Sequence, residues 1–287
     1  MPELPEVEAT RQLLEPAMRG ARFDRVLLRR ADLRRAFPPD FAARLTGTTV
    51  DAVTRRAKYL VLPLSSGETL VMHLGMSGDF GVQSRERAAS AAPPPPRAHD
   101  HVVFEMSSGC VVTFTDPRRF GVMDLLTREA LSAHETLVGL GPEPLSPEFD
   151  AAALARACAR RRVPLKVALL DQRVVAGLGN IYAVEALHLA GLSPSRRAST
   201  IATPTGKPRP TAMRLVAAIK KVLTTAIARQ SNTTYRSAFA EATADESARF
   251  RVYDREGEAC PTRGCAGVIR RSVQGGRSTF ACRICQR

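Results

Sequence analysis

The chain has 287 residues, 44% of them hydrophobic, which suits one large domain or two ordinary ones with their own cores. Its formal net charge of +14 and pI near 10.4 favour a polyanionic partner, nucleic acid before membrane. No apolar run approaches the roughly 18–20 residues of a membrane span, and the acidic start is not that of a secretory signal. We therefore expect an intracellular protein, neither membrane-spanning nor secreted.

The first half of the chain has the pattern of a leading helix followed by short strands. Residues 5–19 favour a helix, which Gly20 ends. Seven β-rich runs with turn residues between them follow, as in a sandwich or barrel. They are Phe23–Arg29, Thr48–Val53, Tyr59–Leu64, Thr69–Leu74, His101–Glu105, Val111–Phe114 and Val122–Leu126.

The second half of the chain has helical patterns, and the change falls at the glycine- and proline-rich segment 139–147. Asn180 follows two nearby glycines and takes the position of a helix N-cap. The plan is thus a β domain, a helical domain and a small cysteine-containing module. The predicted helices are Phe149–Arg161, Pro164–Asp171, Ile181–Ala190 and Thr211–Arg229.

The first eight residues, MPELPEVE, contain a candidate nucleophile. If Met1 is removed, the nitrogen of Pro2 becomes a free secondary amine, which can attack an electrophilic sugar carbon and form an iminium. An α-amino group titrates at about 7.7–8.0, well below lysine at about 10.4, so much of it is unprotonated at neutral pH. Glu3 can supply the proton that this attack needs. The alternative is an ordinary helix start, in which Pro5 and Glu6 are favourable first-turn residues.

Lys58 is a second candidate for chemistry. Only five of the 42 basic residues are lysine, and Lys58 is the only lysine in the first 165 positions. Arginine stays protonated and is a poor proton shuttle, whereas the pKa of lysine shifts readily. We therefore expect Lys58 to take part in proton transfer; the alternative is a surface charge at a strand end.

Four cysteines near the end of the chain have the spacing of a metal site. Cys260 and Cys265 are separated by four residues, Cys282 and Cys285 by two, and sixteen residues lie between the pairs. Two close pairs at this distance are typical of a four-thiolate, tetrahedral and structural zinc site. Disulfides are the alternative, and an intracellular setting disfavours them. Two glycines at 275 and 276 lie between strand-like runs, which predicts a hairpin that six nearby arginines make basic.

Motifs along nearly the whole chain resemble the bacterial formamidopyrimidine-DNA glycosylases, a bifunctional family of base-excision repair enzymes. The resemblance implies an α+β multidomain fold with a catalytic β-sandwich domain (1–133), a linker (134–148), a helical domain with a helix–two-turns–helix element (149–250) and a zinc-finger hairpin (251–287). The motifs are the MPELPEVE start, RRAKY (55–59), HLGMSG (73–78), HDH (99–101), TDPRRFG (115–121), GLGPEPL (139–145), GLGNIYA (177–183) and the cysteine tail.

The resemblance also implies roles for the catalytic candidates. The nitrogen of Pro2 attacks the sugar C1′ of a flipped nucleotide and expels the damaged base, while Glu3 protonates the opening sugar. Successive β- and δ-eliminations then release both phosphates. Lys58 assists the first elimination and Arg277 the second, although the constant charge of arginine makes Arg277 more safely a phosphate binder than an acid.

Further residues match the family's contacts with DNA. Met76, Arg118 and Phe120 correspond to the three side chains that fill the emptied base stack. His99, Arg161, Asn180 and Arg277 correspond to contacts with the DNA backbone, and Arg236 is a further candidate for DNA binding. The partner implied is double-stranded DNA that contains oxidised bases or abasic sites, the cofactor is one structural Zn²⁺, and we expect a monomer in the bacterial cytoplasm, at the nucleoid.

One segment departs from the family pattern. Gly-Gly-Thr-Thr before a lysine is common in the family, whereas this chain has Gln230-Ser-Asn-Thr-Thr-Tyr-Arg236 and no glycine from 238 to 251. This loop closes over the flipped base in the family. Removal of oxidised purines is therefore the main hypothesis. The alternatives are an endonuclease VIII-like preference for oxidised pyrimidines and a non-catalytic zinc-finger protein that binds damaged DNA.

Overall fold

A computed structural model describes residues 2–84, 97–232 and 250–287 of the chain. These residues form two compact units, which we describe separately. Residues 2–138 and 230–232 belong to the first, and residues 139–229 and 250–287 to the second.

The first unit is a sandwich of two four-stranded antiparallel sheets with a leading helix. One sheet has the order β1-β6-β7-β5 and the other β2-β3-β4-β8. Its helices are α1 (Leu4–Met18), α2 (Phe41–Leu45) and α3 (Arg128–Ala133). Its strands are β1 (Phe23–Leu28), β2 (Thr54–Arg56), β3 (Tyr59–Pro63), β4 (Thr69–His73), β5 (Asp79–Ser84), β6 (Asp100–Met106), β7 (Cys110–Thr115) and β8 (Val122–Leu126).

Alternating apolar side chains build the core of this unit. Leu60 and Leu62 on β3 are fully buried, and the residues that alternate with them along the strand are half-buried on the other face of the sheet. Phe80, Phe104 and Phe114 pack against them from the other sheet, on β5, β6 and β7. The period of two is what a sheet with one buried face requires. The predicted leading helix and sandwich are confirmed.

One predicted strand, Thr48–Val53, is wrong. Its main chain makes only isolated bridges, in which Val50 pairs with Arg19 and Leu64, and Thr49 with Arg22, and an extended pair does not form. Its apolar side chains still enter the core, since Val50 and Val53 are buried. The β-branched pattern therefore identified burial correctly, but not a ladder of hydrogen bonds.

The second unit combines helices with a terminal hairpin. Its central helix, α6, is buried around almost its whole circumference, as expected for a helix enclosed by other elements. The predicted helices are confirmed to within a few residues. They are α4 (Ala151–Cys158), α5 (Leu165–Leu170), α6 (Asn180–Leu189) and α7 (Pro210–Asn232), with a 3₁₀ turn at Ala198–Ile201.

The hairpin consists of β9 (Ile269–Gln274) and β10 (Arg277–Cys282). Gly275 and Gly276 form its two-residue turn, with φ of 56° and 71°. Two successive positive φ values give a turn whose twist matches that of the strands, and glycine adopts them at little cost. The predicted glycine turn is confirmed.

A buried lysine attaches this hairpin to the helices. Lys166 on α5 is fully buried. Its Nζ donates to Thr279 Oγ1 at 2.9 Å, to the carbonyls of Arg277 and Ser278 at 3.4 Å each, and to that of Gln274 at 3.5 Å. One ammonium group thus holds main-chain acceptors on both strands, on either side of the turn.

Among the residues that the structure describes, no helix has both the length and the apolar character needed to cross a membrane.

Replacement of Lys166 should destabilise this unit more than replacement of a comparable lysine. Lys166→Met leaves buried carbonyl groups without a charged donor, and we expect a loss of about 2–3 kcal/mol in the free energy of unfolding. Lys220 also donates to a carbonyl, that of Ser146 at 2.8 Å, but it is half-buried. Lys220→Met should cost about 1 kcal/mol or less. Urea unfolding of both variants measures the difference, and equal losses would contradict this account of Lys166.

Candidate functional site

Pro2 and Glu3 immediately precede helix α1. Pro2 is half-buried, and Glu3 is 2% exposed. Glu3 and Glu6 form a capping box, in which the main-chain N–H of Glu3 donates to Glu6 Oε2 at 2.9 Å. This box fixes the direction in which the chain enters the helix, and with it the orientation of Pro2. Met1 lies outside the described residues.

Lys58 lies in the two-residue turn between β2 and β3. Ala57, the other residue of this turn, is buried and has a φ of 53°, a left-handed conformation that is uncommon for alanine. Arg55 holds the turn because its Nη1 donates to the carbonyl of Ala57 at 2.8 Å. Its Nε also pairs with Glu8 Oε2 on α1 at 3.0 Å. The turn that carries Lys58 is therefore fastened to the N-terminal half of α1, the helix that Glu3 caps.

His73 is the last residue of β4, where it pairs with Tyr59, the residue that follows Lys58. Burial, together with the positive charges of Lys58 and Arg34, lowers the pKa of His73 to about 4, so the ring is neutral at pH 7. The main-chain N–H of Gly75 donates to its Nδ1 at 3.0 Å, which leaves the ring proton on Nε2. In sequence, His73 is visible only as part of the HLGMSG motif, and no role was predicted for it.

A cavity of about 340 Å³ lies on the outer face of the sheet that carries His73. Basic and aromatic side chains predominate in its wall, so it can accept an anionic or planar group. The lining residues are Arg34, Arg35, Tyr59, Val71, His73, Phe120, Val122, Asp124, His134 and Thr136.

Met76 and Phe120 are exposed apolar side chains in two turns of the first unit, 40% and 37% exposed. Arg118 is exposed beside them, and its guanidinium carbon lies 5.1 Å from the centre of the Phe120 ring. Its main-chain N–H donates to the hydroxyl of Ser77 at 3.1 Å, which links the two turns. The structure thus brings the three predicted stack-filling residues onto two linked turns.

Asp116 is the buried residue that organises these turns, and no role was predicted for it from sequence. Its Oδ1 accepts from Ser77 Oγ at 2.6 Å, and its Oδ2 accepts from the main-chain N–H of Gly121 at 2.8 Å. Its carbonyl accepts from His101 Nε2 at 2.8 Å. The carboxylate therefore holds the turn of Met76 against the turn that carries the other two predicted residues. The motif TDPRRFG contained Asp116, but a position in a motif does not reveal what its side chain binds.

His99 and Arg161 were both predicted to contact the DNA backbone. His99 is exposed, and its carbonyl accepts from the N–H of Asp116 at 3.0 Å. Arg161 is half-buried and pairs with Asp171 at 2.7 Å. Hydrogen bonds from Arg173 and from Arg161 hold the pKa of Asp171 well below its usual range. Arg161 is thus held in one orientation with part of its surface exposed.

Asn180 and Arg277 lie in the second unit, where Arg277 is exposed at the hairpin tip. Asn180 was predicted as an N-cap, but the N-cap of α6 is Gly179 and Asn180 is the first helical residue. The side chain of Asn180 instead contacts the hairpin, where its Nδ2 donates to the carbonyl of Ser278 at 3.0 Å. Its Oδ1 is buried without a hydrogen-bond partner. Arg236 lies outside the described residues, as do positions 238–249 of the predicted closing loop.

The four cysteines come together as predicted, with their sulfur atoms within 4.8 Å of one another. Cys260 and Cys285 have their sulfurs 3.6 Å apart, as do Cys265 and Cys282. These distances exclude disulfides, which need about 2.05 Å. A tetrahedral ion with metal–sulfur bonds of about 2.3 Å separates its ligands by about 3.8 Å, so the cluster fits a four-thiolate metal ion.

The surroundings of Cys260 favour its thiolate. Burial opposes ionisation, but hydrogen bonds from the hydroxyl and main chain of Thr262 and from neighbouring thiols outweigh it and lower the pKa of Cys260 to about 7. A deprotonated sulfur is the form that binds a metal ion.

Two family models match the chain. Residues 1–123 match the formamidopyrimidine-DNA glycosylase N-terminal domain, and residues 140–237 match the formamidopyrimidine-DNA glycosylase H2TH domain. Formamidopyrimidine-DNA glycosylases from Rhodopseudomonas palustris (strain BisA53) and Afipia carboxidovorans are 56% and 53% identical to this chain, each over 100% of both chains.

Solved structures agree with these matches. A crystal structure of the Lactococcus lactis enzyme, non-covalently bound to DNA with an AP site, has a TM-score of 0.82 and 26% identity. A structure of MutM with DNA containing carbocyclic 8-oxo-G has a TM-score of 0.81 and 27% identity. Both comparisons cover 100% of each chain.

Gly75 should not tolerate a side chain, because the turns of Met76 and Phe120 touch at this position. A Cβ on Gly75 would lie 2.3 Å from the main-chain carbonyl carbon of Phe120. Gly109 shares the positive φ but has open space around it. Gly109→Ala should cost about 1–2 kcal/mol from backbone strain alone. Gly75→Ala should cost about 1–3 kcal/mol more in urea unfolding, and equal losses would show that the turns do not need this contact.

Gly267 should be needed for metal binding. A Cβ here would lie 2.4 Å from the sulfur of Cys282 and 3.2 Å from that of Cys265. We expect Gly267→Ala to weaken Zn²⁺ binding about 10–100-fold, measured by competition with a chromophoric chelator. Gly81→Ala, with open space and no positive φ, is the matched control and should bind Zn²⁺ as the unaltered chain does. Unchanged affinity in Gly267→Ala would contradict the four-sulfur site.

Proposed function

The chain belongs to the formamidopyrimidine-DNA glycosylase family, and we propose that it removes oxidised purines, namely 8-oxoguanine and formamidopyrimidines, from duplex DNA and then cleaves the strand at the abasic site. The net charge of +14 suits a DNA substrate. We further propose that the protein acts as a monomer in the bacterial cytoplasm, at the nucleoid, with the segments 1–133, 149–250 and 251–287 as its domains and 134–148 as the linker.

The observation that carries this proposal is the exposed pair Met76 and Phe120 with Arg118 beside it. An enzyme that acts on a base in a duplex must first extrude the nucleotide, at a cost of a few kcal/mol. Apolar side chains that enter the vacated stack offset this cost, and a neighbouring cation suits the surrounding phosphates. Two exposed apolar groups on turns held by a buried carboxylate meet this requirement.

The proposed chemistry begins at Pro2. After removal of Met1, its secondary amine attacks C1′ of the flipped nucleotide and breaks the glycosidic bond; the base leaves with its electron pair and takes up the proton that the amine loses. Glu3 protonates the opening sugar ring, which yields an iminium between Pro2 and the sugar. The capping box that fixes Glu3 supports this assignment, because a proton donor must be held within hydrogen-bond reach of its target.

Strand cleavage follows from the iminium, which acidifies the adjacent sugar carbon and permits β- and then δ-elimination of the two phosphates. We propose that Lys58 moves the proton in the first elimination. Its proximity to the half-buried ring of His73 supports this, because that ring is neutral and cannot replace Lys58 as a cation. We assign the second elimination to Arg277, chiefly as a phosphate binder because arginine keeps its charge.

Contacts with the DNA backbone complete the proposal. His99, Arg161 and Asn180 are assigned to phosphates, which position an enzyme without specifying a sequence, and Arg236 is assigned to DNA binding. The exposure of His99 and the ion pair that orients Arg161 support two of these assignments. The start of α6 adds main-chain N–H groups beside Asn180, and helix N-termini attract phosphate.

We propose that the metal is one structural zinc ion held by Cys260, Cys265, Cys282 and Cys285. The close sulfur positions support a four-thiolate ion, and the pair spacing is typical of zinc. Four protein ligands leave no position for a reactive water, so the ion would stabilise the hairpin that carries Arg277.

Borohydride trapping tests the proposal. The full chain is incubated with a duplex containing 8-oxoguanine opposite cytosine, reduced, and digested for mass spectrometry. We expect a covalent adduct on Pro2 as the amino terminus. Absence of an adduct on this duplex and on one with a preformed abasic site would refute the catalytic proposal and favour a binding protein. An adduct on the abasic site only would remove 8-oxoguanine as a substrate.

Glu3→Gln separates the two chemical steps. It keeps an acceptor for the helix cap but removes the acid, so base excision should fall about 10²–10⁴-fold. Trapping on a preformed abasic site should persist, because its sugar already equilibrates with an open-chain aldehyde and does not need Glu3 to open the ring. Glu15→Gln, on the same helix, is the matched control and should retain both activities. Equal loss of both activities in Glu3→Gln would contradict the assigned role.

A further inference from the structure

His188 is a buried histidine that borders the four-cysteine cluster and has no role in the function proposed above. It lies on α6 and is 3% exposed. Its Nε2 lies 3.5 Å from Cys260 Sγ, 3.2 Å from Thr262 Oγ1 and 4.0 Å from Cys285 Sγ. One ring nitrogen therefore faces two of the four sulfurs and the hydroxyl between them.

The other ring nitrogen determines where the proton of His188 lies. Arg251 Nε is 3.4 Å from His188 Nδ1. A guanidinium nitrogen can only donate, so Nδ1 accepts and carries no hydrogen. The proton of the neutral ring is then on Nε2, the nitrogen that faces the sulfurs. His188 is thereby a hydrogen-bond donor to the cluster.

The same geometry argues against His188 as a metal ligand. Within the described part of the chain, the set of ligand atoms that all lie within 4.8 Å of one another consists of the four cysteines. His188 is therefore beside one edge of the sulfur tetrahedron, that of Cys260 and Cys285. Ligation through Nε2 would also require the proton to move to Nδ1, where it would meet the N–H of Arg251.

Helix α6 holds both partners of this contact in place. Glu185, one turn before His188, accepts hydrogen bonds from the main-chain N–H groups of Arg251, Val252 and Tyr253 at 2.8–2.9 Å. The main chain of Arg251 is thus fixed by the helix on which His188 lies. Val184 on the same helix packs in a core with Cys260 and Cys282.

We propose that His188 is a positioning residue of the metal site, whose Nε2–H donates to the Cys260 thiolate and to the hydroxyl of Thr262. That hydroxyl also lies 3.7 Å from Cys285 Sγ, so His188 and Thr262 together face the edge formed by Cys260 and Cys285. The inference rests on the zinc site proposed above. Hydrogen bonds from outside the ligand set orient ligands and withdraw charge from them, and their removal typically costs 10–100-fold in metal affinity. His188 would therefore slow the loss of zinc and keep the cluster attached to α6.

The first test compares two variants of the full chain. His188→Leu removes the donor, and we expect zinc to transfer to an excess of chelator about 10–100-fold faster. His188→Gln keeps an amide donor near the position of Nε2 and should release zinc at close to the original rate. Rescue by glutamine distinguishes hydrogen bonding from the mere filling of space. Equal rates in all three proteins, or equally fast release from both variants, would overturn the inference.

The second test needs no variant. Long-range ¹H–¹⁵N correlation spectra of the zinc-loaded protein report which nitrogen of each histidine ring carries the proton. We expect His188 protonated at Nε2 with Nδ1 free; a proton on Nδ1, or X-ray absorption indicating a nitrogen ligand, would overturn the inference. Zinc content of the unaltered protein is measured first. Absence of zinc would refute the zinc site itself, whereas bound zinc without an effect of His188 would refute this inference alone.

Discussion

The hydrogen bonds of the buried Asp116 carboxylate hold the two turns that carry Met76 and Phe120, the candidate stack-filling residues. The carboxylate is fully buried and uses one oxygen for each of two turns, binding Ser77 in the first and the main chain of Gly121 in the second. Packing in the core does not stabilise an exposed apolar side chain, so other interactions must fix the positions of Met76 and Phe120. Hydrogen bonds to a buried charged group are stronger than neutral ones, and leaving such a group without partners is costly. The turns are therefore fixed relative to each other although their apolar tips face solvent.

In the second unit, too, buried charged side chains bind main-chain groups and hold segments together. Lys166 binds carbonyl groups of the hairpin, and Glu185 binds three consecutive N–H groups of the segment before it. The three N–H groups that Glu185 binds lie outside regular secondary structure, and buried main-chain groups must be paired somewhere. The metal module is small, and a few cysteines and apolar residues give it little core of its own. Its position thus depends on polar side chains from the helices as well as on the metal.

The elements that sequence predicted well have strong local patterns. The cysteine spacing, the glycine turn of the hairpin and the leading helix with its proline and acids depend on a few neighbouring residues. Strand β5 was missed because its apolar alternation is short: only Phe80 and Val82 alternate along it, and Gly81 between them is a residue more typical of turns. The predicted strand Thr48–Val53 failed for the opposite reason. Its β-branched residues are buried by tertiary packing, while its main chain makes only isolated bridges.

The residues of the candidate site show the same difference between local sequence patterns and tertiary contacts. Pro2 and Lys58 were found from their chemistry, since a proline amine and a rare lysine are visible in sequence. The residues proposed to touch DNA, such as Met76 and Phe120, were found from the family resemblance. The residues that orient them were not, because Asp116 and His188 bind partners that are distant along the chain and include main-chain atoms with no side-chain signature. Gly75 and Gly267 extend this point: each is required by the close approach of another segment, Phe120 in one case and the sulfur of Cys282 in the other. A glycine in sequence can indicate a turn as readily as a close approach. Only the tertiary structure distinguishes the two, and here it assigns both glycines to the assembly of a site.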